Sequence, residues 1–219
     1  MIPMSLQVIS FFYTVALGVF VSGLLLKKNF KGEVIKKFST SMLTMAVAFA
    51  IWGVGLILGA QEALLATIVS IGLLVFSIAQ VINIYLVAYD EKITYKYTYL
   101  SYGIGLLILI FVLRMFLPSD AFIAENGMIF FNPNETVNFL EVLFISSALI
   151  PANLVVWREM RKQHETSADI FAGTVFAALL GGIMLITTSK VLLLTWVGWA
   201  MSVATIAMVV STAGLLRKK

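Results

Sequence analysis

Seven runs of about 20 mostly apolar residues, joined by short polar connections, take up nearly all of this 219-residue sequence. A helix of about that length crosses the hydrocarbon core of a bilayer. The predicted spans are Met4–Leu26, Phe38–Gly59, Ala63–Tyr89, Thr98–Leu117, Asn138–Trp157, Asp169–Thr188 and Val191–Leu216. We therefore predict an all-α polytopic membrane protein with seven transmembrane helices in a single domain, 1–219.

Composition supports this class and excludes several kinds of site. Hydrophobic residues make up 61% of the chain and charged residues 12%, which is about half the charged share of soluble domains. The absence of cysteine excludes disulfides, thiolate metal sites, iron-sulfur clusters and cysteine nucleophiles. We expect no metal, no cofactor and no catalytic residues.

The stretch Lys27–Lys37 sets the predicted orientation, because it places five lysines in eleven residues between the first two spans. Short loops rich in lysine and arginine stay in the cytoplasm during insertion. With this loop inside, thirteen basic residues fall inside and only Arg114 and Lys190 fall at the outer side. The inside set is Lys27, Lys28, Lys31, Lys36, Lys37, Lys92, Lys96, Arg158, Arg161, Lys162, Arg217, Lys218 and Lys219. We predict a plasma-membrane protein with its N-terminus outside and its C-terminus in the cytoplasm.

The expected partners follow from where charged and apolar residues lie in the connections. The net charge of +4 belongs to loops where insertion and anionic headgroups account for it, so we expect a lipid bilayer and no nucleic acid. Loops 27–37 and 158–165 are predicted contact surfaces for a cytoplasmic or membrane protein. The long outer loop 118–137 is the favoured contact surface, because it is unusually apolar for a connection.

An internal repeat is predicted from the order of spans and loops. Repeat one covers 4–89 and repeat two covers 138–216, and each reads as a helix, a basic loop, a helix rich in small residues, a short outer turn and a long helix. The linker helix 98–117 reverses the chain direction, so the two three-helix units point the same way.

This three-plus-one-plus-three plan resembles a broad set of seven-helix membrane proteins: microbial rhodopsins, SWEET-type sugar transporters and the sensor modules that precede histidine kinases. Lys36–Leu58, with Trp52, and Arg158–Ile186 look most like the sensor module. That resemblance implies a receptor-like role. An opsin-like role is disfavoured, because the last span has no lysine to form a Schiff base with retinal and Lys190 lies at its outer mouth.

Arg114 and Glu141 are the ionisable residues that stand inside predicted spans at matching depths, each about one turn from the outer end. Charges at membrane depth are costly unless they are paired or hydrated. We predict an ion pair between them. The alternative is that both side chains snorkel separately to the headgroup region.

Three amides form a second set of candidates. Gln80 and Asn83 share one face of the third span, and Asn153, beside Pro151, lies at a comparable depth in the fifth. They predict either a polar cavity, of the kind expected for a SWEET-like transporter, or hydrogen bonds that lock helices together.

Tryptophans near the outer ends of two spans form a third set. Trp196 and Trp199 share one face of the last span and, with Trp52, are predicted to wall an outward-facing pocket; interfacial anchoring is the alternative. In the outer loop, Asn134-Glu135-Thr136 fits the N-glycosylation pattern.

Two functional hypotheses remain open. The first is a non-enzymatic seven-helix module, either sensor-like or an accessory subunit of a membrane complex. The alternative is a small-solute transporter of the SWEET-like type. The single histidine, His164, is expected to be solvated in a cytoplasmic loop, and an enzyme is the least favoured class.

Overall fold

The computed structural model describes residues 4–58, 62–90, 95–117, 120–123, 129–132, 134–187 and 191–213. Within them lie seven helices and one short β-hairpin. The helices are α1 (Met4–Asn29), α2 (Glu33–Leu58), α3 (Glu62–Asp90), α4 (Lys96–Phe116), α5 (Glu135–Arg161), α6 (Glu165–Thr187) and α7 (Val191–Thr212). The predicted set of seven helices is therefore confirmed.

Six of the helices contain a stretch that is long and apolar enough to cross a membrane. In α7 the apolar stretch with described side chains, Trp196–Thr212, is shorter. Many large apolar side chains lie exposed around the bundle, among them Leu17, Leu74, Ile108, Leu180 and Ile206. Such an exterior suits hydrocarbon, where backbone polar groups must be satisfied inside each helix. The architecture is that of a helical membrane protein.

The helices pack as a ring with one helix outside it. α1 contacts α2 and α7, α2 contacts α3, α3 contacts α5, and α6 lies between α5 and α7. Inside the ring, Phe38 of α2 and Phe171 of α6 are fully buried and meet edge to face at 6.1 Å. The hydrophobic core therefore runs along the middle of the ring.

α4 lies outside the ring against α3 and α5. Gly103 lets it approach α3, because a Cβ there would overlap Ile84 Cδ1. The Tyr99 hydroxyl donates a hydrogen bond of 2.6 Å to the Ser147 carbonyl of α5. Few of the side chains of α4 are buried, chiefly Leu106 and Ile110, so most of its surface faces away from the bundle.

The long connection between α4 and α5 contains the hairpin, which the sequence analysis did not predict. Strands β1 (Asp120–Ile123) and β2 (Ile129–Asn132) pair antiparallel, with Asp120 opposite Asn132 and Ile123 opposite Ile129. Runs of four residues are too short for a clear alternation of apolar and polar positions. We call this side of the protein the hairpin end. The opposite side, with the α1–α2, α3–α4 and α5–α6 connections, is called the basic end.

Candidate functional site

Two connections at the basic end are joined by a pair of reciprocal hydrogen bonds. The Lys31 amide donates to Gln163 Oε1 at 2.9 Å, and Gln163 Nε2 donates to the Lys31 carbonyl at 2.7 Å. The backbone of Lys31 is presented by a tight turn, since Gly32 next to it has φ +128°, a value that favours glycine. The Gln163 side chain thus takes the place of a peptide group in a short ladder between loops 132 residues apart.

Two further contacts extend this connection. The rings of Phe30 and His164 meet edge to face at 5.6 Å, and Asn29 Nδ2 donates a hydrogen bond of 2.8 Å to the Thr212 carbonyl. We call this set, Asn29, Phe30, Lys31, Gln163, His164 and Thr212, the loop junction. It ties the end of α1 to the α5–α6 connection and to the end of α7.

The loop junction changes the prediction made for His164. Its ring contacts Phe30, which is itself buried, and the residue is of intermediate exposure, so the predicted solvation is partial. Phe30 stands in a loop otherwise rich in lysine, and an apolar ring there gains by covering a neighbour. Sequence reasoning missed Asn29 and Gln163, because amides in short connections look the same whether they bind water or another loop.

Several charges at the basic end are paired with residues three or four positions away along the chain. Lys36 pairs with Glu33 at 2.7 Å, Lys162 pairs with Glu159 at 2.5 Å, and Arg161 pairs with Glu165. Exposed pairs of this kind add little stability. Their effect is to order long side chains on a surface that stays predominantly basic.

The buried amides form two separate hydrogen-bonded groups. Asn83 Nδ2 donates to Gln80 Oε1 at 3.2 Å, and Gln80 Nε2 points to Met45 Sδ of α2 at 3.5 Å. Asn153 Nδ2 donates to the Ala172 carbonyl of α6 at 3.2 Å. No hydrogen bond between described residues joins Asn153 to Gln80 or Asn83, so each group connects its own helix to a neighbour.

Each group also keeps one unused acceptor. Asn83 Oδ1 and Asn153 Oδ1 are buried and have no hydrogen-bond partner among the described residues. They lie about 10 and 12 Å from the basic ends of α3 and α5, at 1.5 Å per residue, and these two helices are in contact. A buried carbonyl without a donor is unfavourable, so these positions suit a water or another small hydrogen-bond donor.

The structure brings Arg114 and Glu141 together near the hairpin end. Arg114 Nε and Nη2 lie 2.7 and 2.6 Å from Glu141 Oε1. The Glu141 side chain is 5% exposed and that of Arg114 is 19% exposed. The predicted ion pair is therefore present, and it fastens the peripheral helix α4 to α5.

The tryptophans do not form the predicted pocket. Trp52 Nε1 donates to the Val69 carbonyl at 3.2 Å, and its indole packs on Phe49 and Phe76. Trp196 and Trp199, in contrast, are 68% and 61% exposed on the outside of α7. The face they share points away from the bundle, which suits interfacial anchoring, and the pocket prediction is wrong.

Asn134 is the N-cap of α5. Its side chain accepts a hydrogen bond of 2.9 Å from the Thr136 amide, and Glu135 adds an acidic residue to the first turn. The cap uses Oδ1 and leaves Nδ2, the atom that a glycan would modify. Glycosylation of Asn134 stays a prediction, and the capping role is the one that the structure describes.

We expect Asn134→Ala to lower the free energy of unfolding by about 1 kcal/mol, the usual cost of losing an N-cap acceptor. Asn134→Asp is the matched control, because it removes the amide but keeps the acceptor oxygen. Thermal unfolding in one fixed detergent measures both. Equal destabilisation by the two variants would contradict the capping role.

Among the residues whose side chains are described, no three or more His, Asp or Glu residues are grouped to hold a metal ion. Comparison with protein-family models, curated proteins and solved structures gave no match to this chain.

Proposed function

We propose that this protein is a non-enzymatic, seven-helix module of the plasma membrane, sensor-like or an accessory subunit, that acts on a protein partner through its basic end. The observation that carries the proposal is the loop junction. It joins the α1–α2 and α5–α6 connections, the two basic loops that occupy equivalent places in the predicted repeats.

The geometry of the loop junction can depend on how the helices of the whole bundle are arranged. The helices that lead into it, α1 and α5, stand in different parts of the ring, so a shift of either one moves the Lys31 backbone relative to Gln163. The two hydrogen bonds are exposed, and exposed hydrogen bonds open at small cost. A partner bound to both loops would therefore favour either the arrangement in which these two hydrogen bonds are formed or the one in which they are open.

The presence of a protein partner is tested by purification in a mild detergent, with the co-purifying proteins quantified against an untagged control. We expect a protein to accompany the wild type at a fixed ratio and to decrease with Gln163→Ala. Thr166→Ala, an exposed polar change three residues away, should keep the partner. A wild-type protein that purifies alone would contradict the proposal.

We propose that the protein is oriented in the membrane with its basic end in the cytoplasm. Because the chain has no cysteine, single introduced cysteines give an unambiguous label. We expect a membrane-impermeant maleimide to label Glu135→Cys in intact cells and to label Lys28→Cys and Lys162→Cys only after permeabilisation. Labelling of Lys28→Cys and Lys162→Cys from outside would contradict this orientation.

Transport of a small solute is the second candidate, and the observation in its favour is the pair of unpartnered oxygens on Asn83 and Asn153. If they line a path, uptake into proteoliposomes should fall with Asn83→Leu and Asn153→Leu. The exposed Thr40→Leu change on α2 serves as the control. Uptake that equals protein-free liposomes would exclude this candidate.

A further inference from the structure

A row of two lysines and three tyrosines crosses three helices at the basic end. Lys37 Nζ of α2 lies 5.5 Å from the centre of the Tyr85 ring, and the rings of Tyr85 and Tyr89 on α3 are 4.4 Å apart. Lys96 Nζ of α4 lies 5.2 Å from Tyr89 and 5.1 Å from Tyr97. We call these five residues the lysine–tyrosine row. Each cation stands within the range of a cation–π contact.

The row lies on the outside of the bundle, at one end of an apolar stripe. The three tyrosines are exposed and the two lysines half-exposed. On the same face of α3, at spacings of three, four and seven residues, stand the exposed side chains of Ile71, Leu74, Ile78 and Tyr85. At 1.5 Å per residue the stripe extends about 20 Å from Tyr85 toward the hairpin end, which is long enough to cover the hydrocarbon of one leaflet, about half of a core that is about 30 Å thick.

We propose that the lysine–tyrosine row and this stripe bind one anionic phospholipid, with the headgroup phosphate between Lys37 and Lys96 and an acyl chain along α3. Charge complementarity identifies the headgroup: lysine donates three N–H groups to a phosphate, and the tyrosine rings hold the two ammonium groups on the exposed surface. The apolar stripe identifies a lipid, because a soluble phosphate has nothing to place there.

The binding site would have a structural consequence. Among the described helices, α4 packs chiefly against α3 and α5. The lysine–tyrosine row connects it, by way of the α3 tyrosines, to Lys37 of α2. A phosphate between Lys37 and Lys96 would bridge α2 and α4. The inference depends on membrane embedding and not on the proposed sensor role or on the orientation.

In the test, phosphatidylglycerol is titrated into the purified full chain, held either in phosphatidylcholine nanodiscs or in detergent. Native mass spectrometry counts the bound lipid. We expect Lys37→Gln with Lys96→Gln to weaken phosphatidylglycerol binding by about an order of magnitude, as expected for two lysines at an anionic headgroup. Tyr85→Leu with Tyr89→Leu, which keeps both charges, should also weaken it.

Lys27→Gln with Lys28→Gln is the matched control, since it removes the same charge from exposed positions at the end of α1. It should leave the affinity unchanged, and excess glycerol phosphate should not displace the lipid. Equal losses in the two lysine pairs would show general attraction to the basic end and overturn the proposal. Displacement by glycerol phosphate would identify a free phosphate as the ligand and would overturn it as well. Melting temperatures of all variants confirm folding.

Discussion

Glu141→Leu is expected to lower the free energy of unfolding by about 2–4 kcal/mol, a little under the usual cost of breaking a buried ion pair from one side. The variant leaves the Arg114 guanidinium on α4 with no carboxylate, in a site where its side chain is only 19% exposed. The expected cost is below the full range for buried pairs because that residual exposure lets Arg114 reach water or headgroups.

A second substitution separates loss of the pair from loss of packing. Arg114→Met combined with Glu141→Leu replaces both charges by apolar groups of similar size, a change that is often neutral or stabilising in buried sites. We expect the double variant to recover most of the stability lost in Glu141→Leu. Unfolding by heat, or by sodium dodecyl sulfate titrated into one fixed detergent, gives the complete double-mutant cycle.

Glu135→Leu is the control on the same helix. It removes an exposed carboxylate from the first turn of α5 and should cost about 0.5 kcal/mol through the helix dipole. If the destabilisation of the double variant equalled the sum of those of Arg114→Met and Glu141→Leu, the ion pair would not be the cause, and the two residues would contribute to stability independently.

The Arg114–Glu141 pair was predictable because of the order of the chain. α4 and α5 are consecutive and antiparallel, so residues at equal distances from their shared connection have equal depth. Two opposite charges at equal depth in adjacent helices are expected to form an ion pair, since an unpaired charge is costly in hydrocarbon. Only the direction of the side chains remained to be found.

The same reasoning failed for the tryptophans because periodicity shows which residues share a face and not where that face points. Trp196 and Trp199 do share a face of α7, as their spacing indicates. Gly198 between them packs toward Phe11 of α1, so the tryptophans point away. In a bilayer both faces of a helix are apolar, and hydrophobicity does not distinguish the core from the lipid side.

Helix ends and loops were the least predictable features. The apolar part of a span ends at the membrane surface, whereas the hydrogen-bonded helix continues through polar residues. Thus α2 begins at Glu33 and not at Phe38, and α5 ends at Arg161 and not at Trp157. The loop junction was missed because it joins Lys31 to Gln163, which lie 132 residues apart in the sequence. A local sequence pattern does not predict contacts over such a separation.

Gly18→Ala is expected to destabilise the bundle by about 1–3 kcal/mol, the usual cost of overpacking a tight contact. A Cβ at Gly18 would overlap Thr205 Cγ2, across the seam where α1 and α7 close the ring. Thr205 is buried, and its hydroxyl donates a hydrogen bond of 2.6 Å to the Met201 carbonyl. The methyl group cannot rotate away without breaking that bond, so the helices must separate.

Thr205→Ser should rescue Gly18→Ala, because serine removes the obstructing methyl group and keeps the hydroxyl that bonds Met201. Gly105→Ala on α4 is the matched control: a Cβ there meets nothing within 4 Å, and alanine is the better helix former by about 1 kcal/mol. We therefore expect Gly105→Ala to unfold at the same or a higher temperature. If Thr205→Ser failed to restore the melting temperature of Gly18→Ala, the close contact between α1 and α7 would not be what requires glycine at position 18.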